Sequence, residues 1–544
     1  MKTRLTVLIA SLLLIGRLPI LAQTPDTVLV PNMIGEVYLD VLANQILGDT
    51  TATGERNNPN RVYQLERGKV YLLSGRMYID DFSLKLIADN DNTKCPPVIA
   101  PFPLNDGTIP RITIQVTKDA YFKNIYFQGA APNDKRNTSD RPLAIGASEG
   151  VRLTVEKCII DASVLAGIAN SGSHSSVFIK DCLFRNDAYK YMFKGTMFYN
   201  YATAPMDTIS IVNCTYFNGN SYAMCNSKQY AKYMRFEHNT LFINYNNPFY
   251  VPFASNADIK NNIFFSPASM GETAQERRDG YYDWDGQQLS VFSIDTIPSD
   301  MATTYGITDE NRRINFSNNA YYWPQQMKDF WAANDTVDAP VWMNERTLAF
   351  FNNDTQYPNL TAENNVEVDP GFNSAVMTLV DSVQQHMLAF RAKGAGVNVF
   401  YNPAGTALFP SRWPIPENLA YTNAALKTAG DDGLPLGDLN WFPDIIGVTD
   451  EGGSTIPEQY SLKQNYPNPF NPSTAIEFQL PKSGMVTLKV FDILGREVQM
   501  LVNQEMNAGL HRVNFNAAAL SSGVYLYRIE AGNFVSIKKM MLMK

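Results

Sequence analysis

Four charged residues stand at a regular spacing in the middle of this 544-residue chain: Arg235 and Glu237, then Asp258 and Lys260. Residues two apart share one face of a strand, so each pair presents a cation beside a carboxylate. The set reads either as a site for a charged ligand or as ion pairs that neutralise each other. Lys194 and Lys190 lie among Tyr189, Tyr191, Tyr199 and Tyr201. Further on, Arg277, Arg278, Asp279, Asp283 and Asp285 surround Tyr281, Tyr282 and Trp284. Rings beside hydrogen-bonding charges suit a sugar, whose apolar face stacks while its hydroxyls bond. Tyr281, Tyr282 and Trp284 are therefore sugar-stacking candidates, the alternative being that they pack onto the body of the protein. His174, His238, His386 and His511 are far apart, and the five cysteines contain no CxxC. No metal site is expected from them.

The elements that must carry these residues repeat. Anchors occur at Asn124, Cys158, Cys182, Cys214, Asn239, Asn262 and Asn319, spaced 34, 24, 32, 25, 23 and 57 residues apart. Three and five places before them stand apolar residues, such as Val155 and Leu153, Ile179 and Val177, Phe236 and Met234. Alternation with period two marks strands, and a repeat of this length marks a solenoid. The expected fold is all-β: a parallel β-helix with a strand, a turn and a second strand per coil. Cys158, Cys182 and Cys214 fall on successive coils and are expected as buried, unpaired fillers. Outward positions put Glu156 beside Lys180 and Glu237 beside Lys260. Past Asn319, residues 324–333, 344–352 and 381–393 read as helices, the last capped by Asp381 and ended by Gly394.

Lys2 and Arg4, the apolar run Leu5–Ile15 and Ala22 read as a signal peptide over residues 1–22. The solenoid with its caps is assigned to residues 23–400 and an irregular connector to 401–455. Charged residues make up 18% of the chain and the net charge is -8, which argues against nucleic acid as a partner. A monomer is expected.

Val62–Ile87, with Gly68 and Gly75 between short strands, resembles the opening of pectate-lyase-like β-helices, and the likeness extends over about residues 55–320. Enzymes of that superfamily that cleave uronate polymers use an Arg or Lys base, with calcium or a cation on the sugar carboxylate. The resemblance implies Arg235 or Lys194 as base, and Glu237, Asp258 and Lys260 as calcium or substrate ligands. No cofactor is expected unless the chain is such a lyase, when calcium would be. No aspartate cluster of the kind hydrolases need is evident: Asp181 and Asp187 lack a partner in register. Val368–Phe372 resembles a closing coil. Asp432–Asp438 resembles a segment of surface β-helix proteins encoded with glycan-uptake systems in Bacteroidetes-type bacteria.

The last 85 residues carry the most specific signal. Asn465-Tyr466-Pro467-Asn468-Pro469-Phe470-Asn471-Pro472-Ser473-Thr474 precedes alternating Ile476–Leu480, Val486–Phe491, Leu494–Val498, Gly509–Phe515 and Leu520–Ile529. Short strands between Gly, Pro and Asn turns predict a small antiparallel sandwich over residues 456–544. The segment resembles the type A C-terminal sorting domain of the type IX secretion system. The resemblance implies the type IX translocon as partner and a secreted or outer-membrane-surface protein, with the edge at Lys538–Lys544 as a contact. A polysaccharide ligand or uronate lyase activity remain the two readings for the solenoid.

Overall fold

The computed structural model describes residues 26–446 and 460–543, except 188, 191–193, 227, 280–285, 335–336, 404, 406, 410–412, 466–467, 469, 483, 507–508 and 518–519. The signal-peptide segment and the candidates Tyr281, Tyr282 and Trp284 lie outside the described residues. The chain divides into two compact units, residues 1–447 and 448–544.

The first unit is a parallel β-helix. Its coils build three parallel sheets, of eleven, ten and seven strands among the described residues. One coil shows the order: Arg152–Glu156 in the eleven-stranded sheet, Ile159–Asp161 in the ten-stranded sheet, Ala166–Asn170 in the seven-stranded sheet, then Ser176–Lys180 back in the first. The third strand goes beyond the expected two per coil. Its residues here, Ala-Gly-Ile-Ala-Asn, are too small to show an apolar alternation. The apolar positions before the anchors face inward as expected: Leu153, Val155, Val177, Ile179, Met234 and Phe236 are all buried.

The anchors form one hydrogen-bonded file. Cys158 N–H donates to Cys182 Sγ, and Cys182 N–H to Cys214 Sγ, each at 3.4 Å. The file then changes chemistry: Cys214 N–H donates to Asn239 Oδ1 at 2.9 Å, Asn239 N–H to Asn262 Oδ1 at 2.8 Å, and Asn262 N–H to Asn319 Oδ1 at 3.0 Å. Asn319 N–H continues it to Asn365, a coil whose two-residue strand Leu360–Thr361 hides the pattern. Each Nδ2 reaches back to a carbonyl, of Ile211, Phe236, Ile259 or Phe316. Backbone groups at the bend are thereby satisfied inside the protein. The residue before each anchor is left-handed, from Lys157 at φ 52° to Asn261 at φ 60°. Asn124, read as an anchor, instead takes this turn position at φ 58°, and buried Ile125 is the anchor. None of the five cysteines forms a disulfide, and Cys158, Cys182, Cys214 and Cys225 are buried.

Helices Gln325–Ala333, Glu345–Phe351 and Leu379–Lys393 follow the repeat. Asn344 caps the second by accepting from Thr347 N–H. The third starts at Leu379, ahead of Asp381, whose carboxylate accepts from Gln326 instead of capping. Gly394 at φ 68° ends it. The described residues of 401–446 hold only the short helical turns Ala424–Thr428, Leu439–Trp441 and Pro443–Ile446, yet Tyr401, Leu419, Tyr421, Leu426, Leu436 and Phe442 join the solenoid core. This segment is a strap over the outer face of the ten-stranded sheet. The ring stack Phe217–Phe242–Phe265, at 5.3 and 4.8 Å, is met edge-on by Tyr401 and Phe372.

The second unit pairs a three-stranded and a four-stranded antiparallel sheet around Phe470, Ile476, Phe478, Leu488, Phe515 and Tyr527. Its signature segment is structural. Asn465 N–H donates to Tyr527 Oη and Asn465 Nδ2 to Thr474 Oγ1, while Asn468 Oδ1 accepts from Met541 N–H. The last strand, Phe534–Leu542, is a sheet edge with Val535, Ile537 and Met541 exposed.

Candidate functional site

The predicted charges occupy the outer face of the eleven-stranded sheet, in register: Arg235 beside Asp258 and Glu237 beside Lys260. They neutralise one another. Arg235 Nη2 lies 2.5 Å from Glu237, Lys260 reaches Glu237 at 3.5 Å and Asp431 at 2.6 Å, and Arg313 grips Asp258 at 3.1 Å. Tyr233 also donates to Asp258, at 2.9 Å. Burial lowers the Arg235 pKa, but the Glu237 carboxylate outweighs it and holds the guanidinium above its ordinary value. Such a group is a poor proton acceptor. Glu237 and Asp258 are bound to cations rather than turned toward a shared calcium position. Among the described residues, no group of three His, Cys, Asp or Glu stands where it could hold a metal ion. Glu156 pairs with Lys123 at 3.3 Å, not with its neighbour Lys180.

Lys194 is elsewhere. It precedes the strand Thr196–Asn200 of the seven-stranded sheet, bonds the Thr138 carbonyl and lies 5.2 Å from the Tyr189 ring centre. Burial holds its ammonium below the ordinary lysine value, with Asp140 opposing. The four residues proposed for one groove are thus split between two faces.

Asp187, expected to lack a partner, gathers with Asp140 and Asp161 around the turn 161–165. Asp140 Oδ1 accepts from Val164 and Leu165 N–H, and Asp187 Oδ1 from Ser163 N–H and Oγ. Asp161 binds Arg185 at 2.6 Å, and the other side of Arg185 is held by strap residue Glu417 at 2.5 Å. All four acids are buried. Asp140 and Asp187 brace the turn, and Asp161 ties it through Arg185 to Glu417 of the strap. Asp140 comes from a loop and Glu417 from the far end of the chain, so no local spacing announces them.

The outer face of the seven-stranded sheet also carries aromatic residues, and these are tyrosines. Tyr78, Gln115, Ala144, Ala169, Tyr199, Cys225 and Tyr250 form a single row across its strands. The alternate residues Met77, Ile114, Leu143, Ile168, Phe198, Met224 and Phe249 are buried, which turns this row outward. Ala144, Ala169 and Cys225 in this row are themselves buried, so its exposed surface comes from the longer side chains. Tyr199 stacks on Tyr201 at 4.0 Å, and the Arg141 guanidinium lies 4.5 Å over Tyr201. Burial raises the Tyr201 hydroxyl pKa, and the charges of Arg141 and Arg111 oppose that rise. At the other end of the row Arg76 lies 5.1 Å from the Tyr78 ring and donates to Gln115 at 2.6 Å. Sequence spacing marks Tyr199 and Tyr201 as neighbours of Lys194; the Arg141 guanidinium reaches Tyr201 from another coil, which needs the register.

Comparisons with known proteins bear on the second unit. No curated protein matches the chain. One solved structure resembles it over 18% of this chain and 13% of that chain, at 20% identity and a TM-score of 0.12. It is PorZ, described as an essential bacterial surface component of the type-IX secretion system of Porphyromonas gingivalis. The match thus spans a small part of either protein. Residues 464–543 match the family model of the secretion system C-terminal sorting domain. The chain therefore ends in a sorting domain of this family, which implies export by the type IX system to the cell surface or the medium.

Proposed function

We propose that the exported chain binds a polysaccharide along the outer face of the seven-stranded sheet. One observation carries this reading: the Tyr199–Tyr201 stack with the Arg141 guanidinium over it. Rings offer a sugar its stacking surface, and guanidinium groups bond hydroxyls and carboxylates. Arg76, Arg111 and Arg141 favour a uronate-containing polymer. The pectate-lyase-like resemblance agrees with this class of ligand.

The test is binding of the full chain to polygalacturonate and alginate, with dextran as the neutral control. The double variant Tyr199→Ala/Tyr201→Ala should bind the acidic polymers about tenfold more weakly, since each ring contact is worth about 0.5–1.5 kcal/mol. Equal binding by variant and parent would remove the reading. A second reading, β-elimination, is favoured by Lys194, whose lowered pKa suits a base at the edge of the same face. It requires unsaturated product to accumulate from polygalacturonate with calcium present, and to stop in Lys194→Met.

A further inference from the structure

Two cavities meet at the C-terminal end of the eleven-stranded sheet, away from the tyrosine row. One, of about 490 Å3, is lined by Arg313, Asn315 and Ser317 on one strand and by Asn359, Thr361 and Glu363 on the last coil. The other, also about 490 Å3, is lined by Trp342, Leu348 and Phe351 and shares Pro358, Thr361 and Glu363 with the first. Strand pairing builds the polar half. Asn315 stands opposite Thr361, and the buried Ile314 and Phe316 between them turn Arg313, Asn315 and Ser317 outward. Aromatic packing backs the second cavity, where Trp342 stacks on Tyr321 at 4.2 Å and leans on Phe316 at 4.9 Å, while Asn352, Asp354 and Asn365 give it a polar side as well.

The charge of this cleft separates its ligand from that of the tyrosine face. Arg313, its cation, is spent on both oxygens of Asp258, at 3.1 and 3.2 Å. Glu363 and Asp354 line the cavities, so an anion meets carboxylates and a neutralised guanidinium. The remaining polar groups are amides and hydroxyls, which donate and accept as a sugar hydroxyl does. Pockets of 300–1,000 Å3 hold small ligands, and each half is of that size. We propose that this end cleft binds the terminal residues of a neutral oligosaccharide. The ring hydroxyls would meet Asn315, Asn359 and Thr361, and an apolar sugar face would meet Trp342, Leu348 and Phe351. The proposal rests on the carbohydrate reading above only for its class of ligand; the face, residues and charge preference differ.

The test uses the full chain with cellotriose, maltotriose and mannotriose, followed by tryptophan fluorescence and calorimetry. At least one trisaccharide should bind at millimolar concentration or below and perturb fluorescence. The Asn315→Ala/Asn359→Ala variant should lose about tenfold or more in affinity, as expected when hydrogen bonds to the ligand are removed. Trp342→Phe should bind but lose the fluorescence change. Thr361→Val serves as a second polar variant if the double variant melts early. Tyr199→Ala/Tyr201→Ala should bind the trisaccharide normally while losing polygalacturonate, so either site can fail alone. Absence of binding by all three sugars, or unchanged affinity in the asparagine and threonine variants, overturns the proposal.

Discussion

Asp438 lies buried in the strap, where its carboxyl accepts from Thr215 Oγ1 at 2.6 Å and from Asn440. Burial raises its pKa to about 7, with the Thr215 bond opposing. An unfolded aspartate titrates near 4, so the native state holds an extra proton between about pH 4 and pH 7. Stability therefore falls as pH rises through that window and levels off above it. Asp140, also raised to about 7 by burial, adds to the same slope. Asp438→Asn should flatten the slope by up to about 1.4 kcal/mol per pH unit. Urea unfolding at pH 5 and pH 8 reads this out. All six tryptophans lie in residues 284–441, so their fluorescence follows the solenoid without the sorting domain. An unchanged slope would mean that Asp438 is ionised in its pocket.

At the scale of elements, the anchor file and the strap carry separable loads. Asn262 accepts from Asn239 and donates to the Phe236 carbonyl and Asn319. Asn262→Ala should cost about 2–4 kcal/mol, because backbone groups at the bend lose buried partners. The same truncation at Cys182 should cost less, since sulfur is the weaker acceptor; equal losses would count against that ranking. The strap depends on one buried triad, Asp161–Arg185–Glu417. Glu417→Ala leaves Arg185 half-paired in the interior, and such a break costs about 3–5 kcal/mol. Limited proteolysis should then cut first within residues 395–446, and cutting elsewhere first would show that the strap is held by its rings. The anchors themselves were legible from side-chain type and spacing. The strap was not: its Pro- and Gly-rich composition reads as a connector, and its apolar residues have no period.

The whole molecule joins a solenoid to an address. Removing residues 464–543 should leave the tryptophan-reported unfolding of the solenoid unchanged and stop the protein before the cell surface. Cell fractionation checks the second half, and surface delivery of the truncated chain would place the signal elsewhere. Two of the solenoid's three faces are accounted for by its own chain, one covered by the strap and one carrying self-paired charges. The proposed sugar contacts use the third face and the C-terminal end of the charged one. The paired charges also explain a misdirection in the sequence. Arg235, Glu237, Asp258 and Lys260 share a face as their spacing requires, but spacing does not reveal that Arg313 and Asp431 complete the neutralisation.

What the residues determined alone is everything with a short period or a contiguous motif. Alternation before each anchor specified strands, the anchor spacing specified coils, and Asn465–Thr474 with its following strands specified the sorting domain. These are local signals, because a strand's inner face and a turn's left-handed residue are fixed within a few positions. Tertiary structure decided which outward residues meet solvent, which meet the strap and which meet each other. Those contacts join positions such as Arg185 and Glu417, or Arg141 and Tyr201, whose proximity arises only when coils stack at about 4.8 Å and a distant segment lies across them.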